Sequence, residues 1–169
     1  MTLMMLALMP SVHAHKPSYS EGLYSSAEAS YRVDDIDVSI VVYGTVTCEA
    51  PQLWLSFTGE PGDEVYVQLG VPVIDRLEDY RPSVAALAKG WPAVELPFEV
   101  PEGLGGYLWS SDEVAEPGEF FEPFSQTESW ILVEDTVTLN NEGVGYLVAW
   151  DPAGWSGKLW LATGTVEDF

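Results

Sequence analysis

Apolar and polar positions along this chain repeat with a period of two, and no stretch shows the three-to-four spacing of an amphipathic helix. The clearest alternation is at 65–69, with Val65, Val67 and Leu69 on one face and Tyr66 and Gln68 on the other. Residues 37–47 (DVSIVVYGTVT), 53–58 (LWLSFT) and 130–139 (WILVEDTVTL) are rich in the β-branched and aromatic residues that fit a pleated surface. Glu60-Pro61-Gly62-Asp63 and Asn140-Asn141-Glu142-Gly143 supply turns between such runs. A shorter apolar run, 84–87, ends at Lys89-Gly90 and reads as another strand. On this pattern 37–70 forms a meander of about three strands.

The stretch 145–164 (GYLVAWDPAGWSGKLWLATG) organises the rest. Two apolar runs flank a loop dense in turn formers, Asp151-Pro152-Ala153-Gly154-Trp155-Ser156-Gly157, which predicts a β-hairpin. Tyr146, Val148 and Trp150 alternate with Leu147 and Ala149, and Leu159 and Leu161 flank Trp160. Strands apolar on both faces belong inside a sheet that is covered on each side. Between 71 and 128, prolines at 72, 82, 92, 97, 101, 117 and 123 exclude a long helix. There 102–106 and the acidic, Phe-rich 112–124 read as long ordered loops. The expected fold is all-β: an antiparallel β-sandwich, jelly-roll-like, with long Pro-rich loops.

The first fourteen residues are uncharged, hold all four methionines and end in small residues, as the apolar core of a secretory signal does. The domain plan is therefore a signal remnant at 1–14, an extended lead-in at 15–36 and one sandwich domain at 37–169. That places the protein outside the cytoplasm: periplasmic, at the cell surface or extracellular.

Charge narrows the partners. Twenty-seven acidic against six basic side chains give −21, a surface that repels phosphate backbones and anionic lipid heads, so no nucleic-acid partner is expected. Cys48, the sole cysteine, has no internal disulfide partner and reads as a small buried hydrophobe at the end of a strand. The only histidines are His13 and His15, so a nucleophile activated by imidazole and a zinc site of several His or Cys ligands are both excluded.

Three chemistries stay open. If the signal is cut after Ala14, the α-amine and imidazole of His15 could chelate copper, with Asp34, Asp35 or Asp37 completing the shell. Calcium wants several hard oxygens, and Asp34, Asp35 and Asp37, or Asp75, Glu78 and Asp79, cluster carboxylates in sequence without EF-hand spacing. A carboxylate-dependent polysaccharide hydrolase needs two acids across a cleft, and sequence alone nominates no pair. Trp155, in the predicted hairpin loop, and Trp109 are the aromatic candidates for stacking on a glycan or a protein partner.

Gly62-Asp63-Glu64-Val65-Tyr66-Val67, the 84–87 run, Gly143-Val144-Gly145-Tyr146-Leu147-Val148 and a closing strand after Ser156-Gly157 occur in an order that resembles the bacterial pre-peptidase C-terminal type of β-sandwich domain. The likeness spans roughly 35–165. Segment 71–81 (VPVIDRLEDYR) and the 98–128 insertion also look like a group of uncharacterised exported bacterial proteins, in which a membrane anchor commonly follows. The resemblance implies a non-catalytic binding or accessory role at the cell envelope, with any anchor lying beyond Phe169. It carries over no catalytic residue.

Overall fold

Strands that follow one another in this chain mostly join different sheets. The computed structural model describes residues 16–20, 22–122 and 126–167; the signal segment 1–14 and His15 lie outside them. One sheet has six strands in the order β1 (Lys16–Tyr19), β3 (Ile40–Val46), β11 (Gly157–Thr163), β5 (Glu64–Pro72), β9 (Thr127–Thr138), β8 (Gly118–Glu122). The other has five, in the order β2 (Tyr31–Arg32), β4 (Gln52–Gly59), β10 (Gly143–Trp150), β6 (Ser83–Lys89), β7 (Leu104–Trp109). The two sheets pack as a sandwich, and the only helical element among the described residues is one 3-10 turn, Asp75–Leu77. No helix among those residues is long and apolar enough to cross a membrane.

The interior follows from the alternation. Val65, Val67 and Leu69 from one sheet meet Leu53, Leu55, Phe57 and Leu147 from the other, joined by Leu159 and Leu161. Each such fully buried aliphatic side chain contributes about 1.5–3 kcal/mol. The outer faces carry their own clusters. Trp54, Ala85, Leu87, Val148 and Trp150 lie outside the five-stranded sheet, and Val41, Trp160 and Ala162 outside the six-stranded one.

Several expectations from the sequence are corrected. The predicted hairpin is a crossover: β10 pairs with β4 and β6, whereas β11 pairs with β3 and β5. Each of the two strands keeps a neighbour on both sides, but in a different sheet. Residues 151–156 therefore carry the chain from one layer to the other. For the same reason 37–70 is no meander, since β3 and β5 belong to one sheet and β4 to the other.

The lead-in is also structured. β1 pairs in parallel with β3, and β2 in parallel with β4, so the sheets are mixed rather than purely antiparallel. Parts of the expected loops are edge strands, β7 and β8. Cys48 is exposed in the β3–β4 turn, because the strand ends at Val46.

Candidate binding face

The two outer faces differ in what covers them. Over the five-stranded sheet the segment 91–103 folds back as a thatch. Phe98 meets Trp54 and Trp150 edge-on, with ring centroids 5.5 and 5.0 Å apart, and Tyr146 meets Trp54 from the other side at 5.7 Å. Val94, Leu96, Val100 and Leu104 complete the cover. This segment, with prolines at 92, 97 and 101, is thus a packed cover over tryptophans that face away from the interior.

No comparable segment covers the six-stranded sheet among the described residues. A rung of paired positions crosses it: Tyr19 opposite Tyr43, Tyr43 opposite Trp160, Trp160 opposite Gly70, Gly70 opposite Ile131 and Ile131 opposite Gly118. The tyrosine rings stack, 5.4 Å apart and 20° from parallel, and Tyr19 is 66% exposed. Trp160 lies flat over its neighbour because residue 70 is glycine; a methyl group there would overlap the indole. Its Nε1 donates to Ser129 Oγ at 3.0 Å.

This ridge separates two hollows. The smaller, about 460 Å³, lies beside Tyr19, Tyr43, Thr45, Pro72 and Lys158. The larger, about 650 Å³, is bordered by Tyr66, Gln68, Phe120, Ile131, Glu134 and Thr165. It exists because the next rung places the small Ala162 beside Gln68, with Glu134 on the other side. Tyr66 donates its hydroxyl to Glu134 Oε1 at 3.0 Å. Burial first, then that bond and the carboxylate charge, hold the phenol protonated well above its usual range. Gln68 is only 9% exposed, and the described residues offer its side-chain amide no hydrogen-bond partner.

The residues nominated from sequence are spread elsewhere. Asp34, Asp35 and Asp37 lie in the exposed stretch between β2 and β3. There Asp35 Oδ1 accepts from the backbone N of Asp37 at 3.0 Å, and Asp34 lies 3.4 Å from the Arg32 guanidinium. Asp75, Glu78 and Asp79 are exposed on and just after the 3-10 turn that follows β5. The two carboxylate groups stand at opposite ends of the six-stranded sheet, since β3 starts where one lies and β5 ends where the other does. No group of three or more His, Cys, Asp or Glu side chains among the described residues is arranged to hold a metal ion.

Arg81, close to Glu78 and Asp79 in sequence, donates to the backbone carbonyls of Glu78, Tyr80 and Val114. His15 and its proposed copper site fall outside the described residues.

Trp109 is half-buried on β7 and gives its Nε1 to Asp135 Oδ2 at 2.8 Å. Together with Trp91, whose Nε1 donates to the Thr138 carbonyl at 2.9 Å, it ties the five-stranded sheet to β9 at the edge of the sandwich. Trp155 sits on the 151–156 crossover, 58% exposed, and only its backbone N is engaged, by Asp151 Oδ1 at 2.8 Å. Where the crossover enters β11, Tyr80 packs against Gly157, and a Cβ there would strike the ring. Burial, and then the Asp151 carboxylate, raise the Tyr80 phenol far above its ordinary pKa.

Sequence reading passed over Tyr19, Tyr43, Tyr66 and Gln68. The period-two pattern had set Tyr66 and Gln68 together on one face. What it lacked was the sheet order that sets Ala162 and Glu134 on either side of Gln68.

No protein-family model matches the chain, and no curated protein matches it.

Proposed function

We propose that this chain is a non-catalytic, exported binding or accessory module of the cell envelope, of the pre-peptidase C-terminal-like sandwich type. It meets its partner, a protein or a glycan, with the open outer face of the six-stranded sheet. One observation carries the reading: the two outer faces are both aromatic, yet the described residues thatch one and leave the other open with a stacked tyrosine pair at its rim. Exposed apolar surface that is contiguous on a folded domain marks an interaction site, and here the exposed Tyr19 ring continues into the half-buried Tyr43. The net charge of −21 points the module away from nucleic acid and anionic lipid, and a signal segment at 1–14 would carry it out of the cytoplasm.

The test is retention of the purified protein on cell-envelope fragments of the source organism. Tyr19→Ala removes an exposed ring without disturbing the interior, so folding, followed by circular dichroism, should be unchanged. Retention should fall about tenfold, the equivalent of about 1.4 kcal/mol. Trp155→Ala should leave retention as it was. The reverse pattern, with loss only on changing Trp155, would move the contact surface to the 151–156 crossover.

A further inference from the structure

We propose that the larger hollow on the six-stranded sheet is a subsite for one unit of a neutral, hydroxyl-rich glycan, with the Gln68 amide as its central hydrogen-bonding group. The inference rests on the reading above that this face is the contact surface, and it names the ligand class.

The amide is what singles out the hollow. Gln68 is the fifth residue of β5 and projects outward, with Val67 and Leu69 buried in the interior on either side of it. Its side chain is nine-tenths buried, and no group among the described residues answers the amide, whose polar atoms meet solvent only through the hollow. Native proteins seldom leave such a group unserved. Here the group borders an open hollow of about 650 Å³, within the ~300–1,000 Å³ range of small-ligand sites. It presents a donor and an acceptor side by side, the pair that vicinal sugar hydroxyls both answer.

The surrounding groups suit the same chemistry. Glu134 accepts from Tyr66 through one oxygen, and its other oxygen can accept from a hydroxyl. Thr165 adds a side-chain hydroxyl at the border, while Phe120 and Ile131 offer apolar surface for the carbon face of a ring. Glu119 and Glu134 both border the hollow in a chain of net charge −21, which disfavours uronates, phosphates and sulfates. A peptide taken up as an added strand needs unpaired backbone groups. The hollow lies on a sheet face where β5 is hydrogen-bonded on both sides, to β11 and β9. A neutral polyol is the class left.

The experiment is a titration of the isotope-labelled protein, followed by NMR, with maltohexaose, cellohexaose, xylohexaose and chitohexaose. A polygalacturonate oligomer serves as the acidic arm and a lysine-rich peptide as the protein arm. At least one neutral hexaose should shift the Gln68 side-chain NH₂ resonances and the backbone amides of β5 and β9. Gln68→Ala should weaken that binding at least tenfold, and Gln68→Asn should recover part of it. The side-chain resonances of the unaltered protein report on the site even where a variant folds poorly.

The inference is overturned if no neutral hexaose shifts those resonances, if the acidic oligomer or the peptide shifts them instead, or if Gln68→Ala binds as well as the parent. Envelope retention separates the two readings. Retention that still depends on Tyr19 while no hexaose binds would sink the glycan subsite and leave the contact face standing. Retention indifferent to Tyr19, together with no hexaose bound, would sink both.

Discussion

Trp160→Ala is expected to lower the stability of this protein by about 4 kcal/mol, among the largest effects of any single truncation outside the interior. For a chain of this length that corresponds to a fall of about 10 °C in melting temperature. The indole is 2% exposed although it points away from the sandwich interior. It is shielded from beneath by the bare backbone of Gly70 and flanked by Val41, Ala162, Tyr43 and Ile131. Its removal opens a cavity that the rigid ladder cannot close, and it leaves Ser129 Oγ without its buried donor. The ridge between the two hollows would collapse, so the stacked tyrosines and the Gln68 site should lose their shape together. Thermal melting followed by circular dichroism reads the loss. A fall of under about 1 kcal/mol would mean that the indole does not organise this face.

Gly105→Ala is the second, and here two effects of opposite sign compete. Alanine is the better strand residue, and by backbone propensity alone the change should stabilise by roughly 0.5–1 kcal/mol. Geometry argues the other way. A Cβ at 105 would overlap the carbonyl oxygens of Trp91 and Pro92, which are backbone atoms and cannot rotate aside. The next residue already accepts this closeness, with Gly106 N donating to the Pro92 carbonyl at 2.7 Å.

The start of the thatch would have to lift. Overpacking of this kind costs about 1–3 kcal/mol, and the expected net effect is destabilisation near the upper end, about 2–3 kcal/mol. As Phe98 leaves Trp54 and Trp150, tryptophan emission should shift to the red. Urea unfolding gives the energy and the spectrum gives the cause. A stabilised Gly105→Ala variant would show that the segment does not press on β7.

How much of this was visible in the sequence depends on whether local pattern or long-range pairing decides it. The period-two runs at 65–69 and 130–139 and the Pro-punctuated middle were enough for an all-β sandwich, because burial of alternate residues is a local consequence of strand geometry. The doubly apolar strands β10 and β11 each took a place between two neighbours, but the expected cover on both faces held for β10 alone. Over the outer face of β11 the described residues lay no segment, and Trp160 is buried by its neighbours within the sheet. Yet the same pattern was read as a hairpin, because turn residues at 151–157 look alike whether the chain returns to its own sheet or crosses to the other. The six-stranded order, which sets residues 19, 43, 160, 70, 131 and 118 side by side, pairs segments far apart in sequence, and composition holds no trace of it.

The candidate site failed to show for the same reason. Trp155 and Trp109 stood out as single residues in loop-like contexts, whereas Gln68 becomes conspicuous only once its neighbours are known to leave its amide unserved. Charge behaved differently again. Clustered aspartates at 34–37 drew attention by their spacing, but in a chain with 27 acids such spacing arises without any convergence of side chains, and the fold spreads them along an exposed connection.

The most direct measurement of the central claim is hydroxyl-radical footprinting of the protein, free and bound to envelope fragments, read out by mass spectrometry. If the open face of the six-stranded sheet is the contact surface, oxidation of Tyr19, Tyr43 and Phe120 should fall on binding while Trp155, Tyr107 and Leu108 react as in the free protein. Protection centred on Trp155, or on Tyr107 and Leu108, with Tyr19 and Tyr43 unchanged, would contradict it.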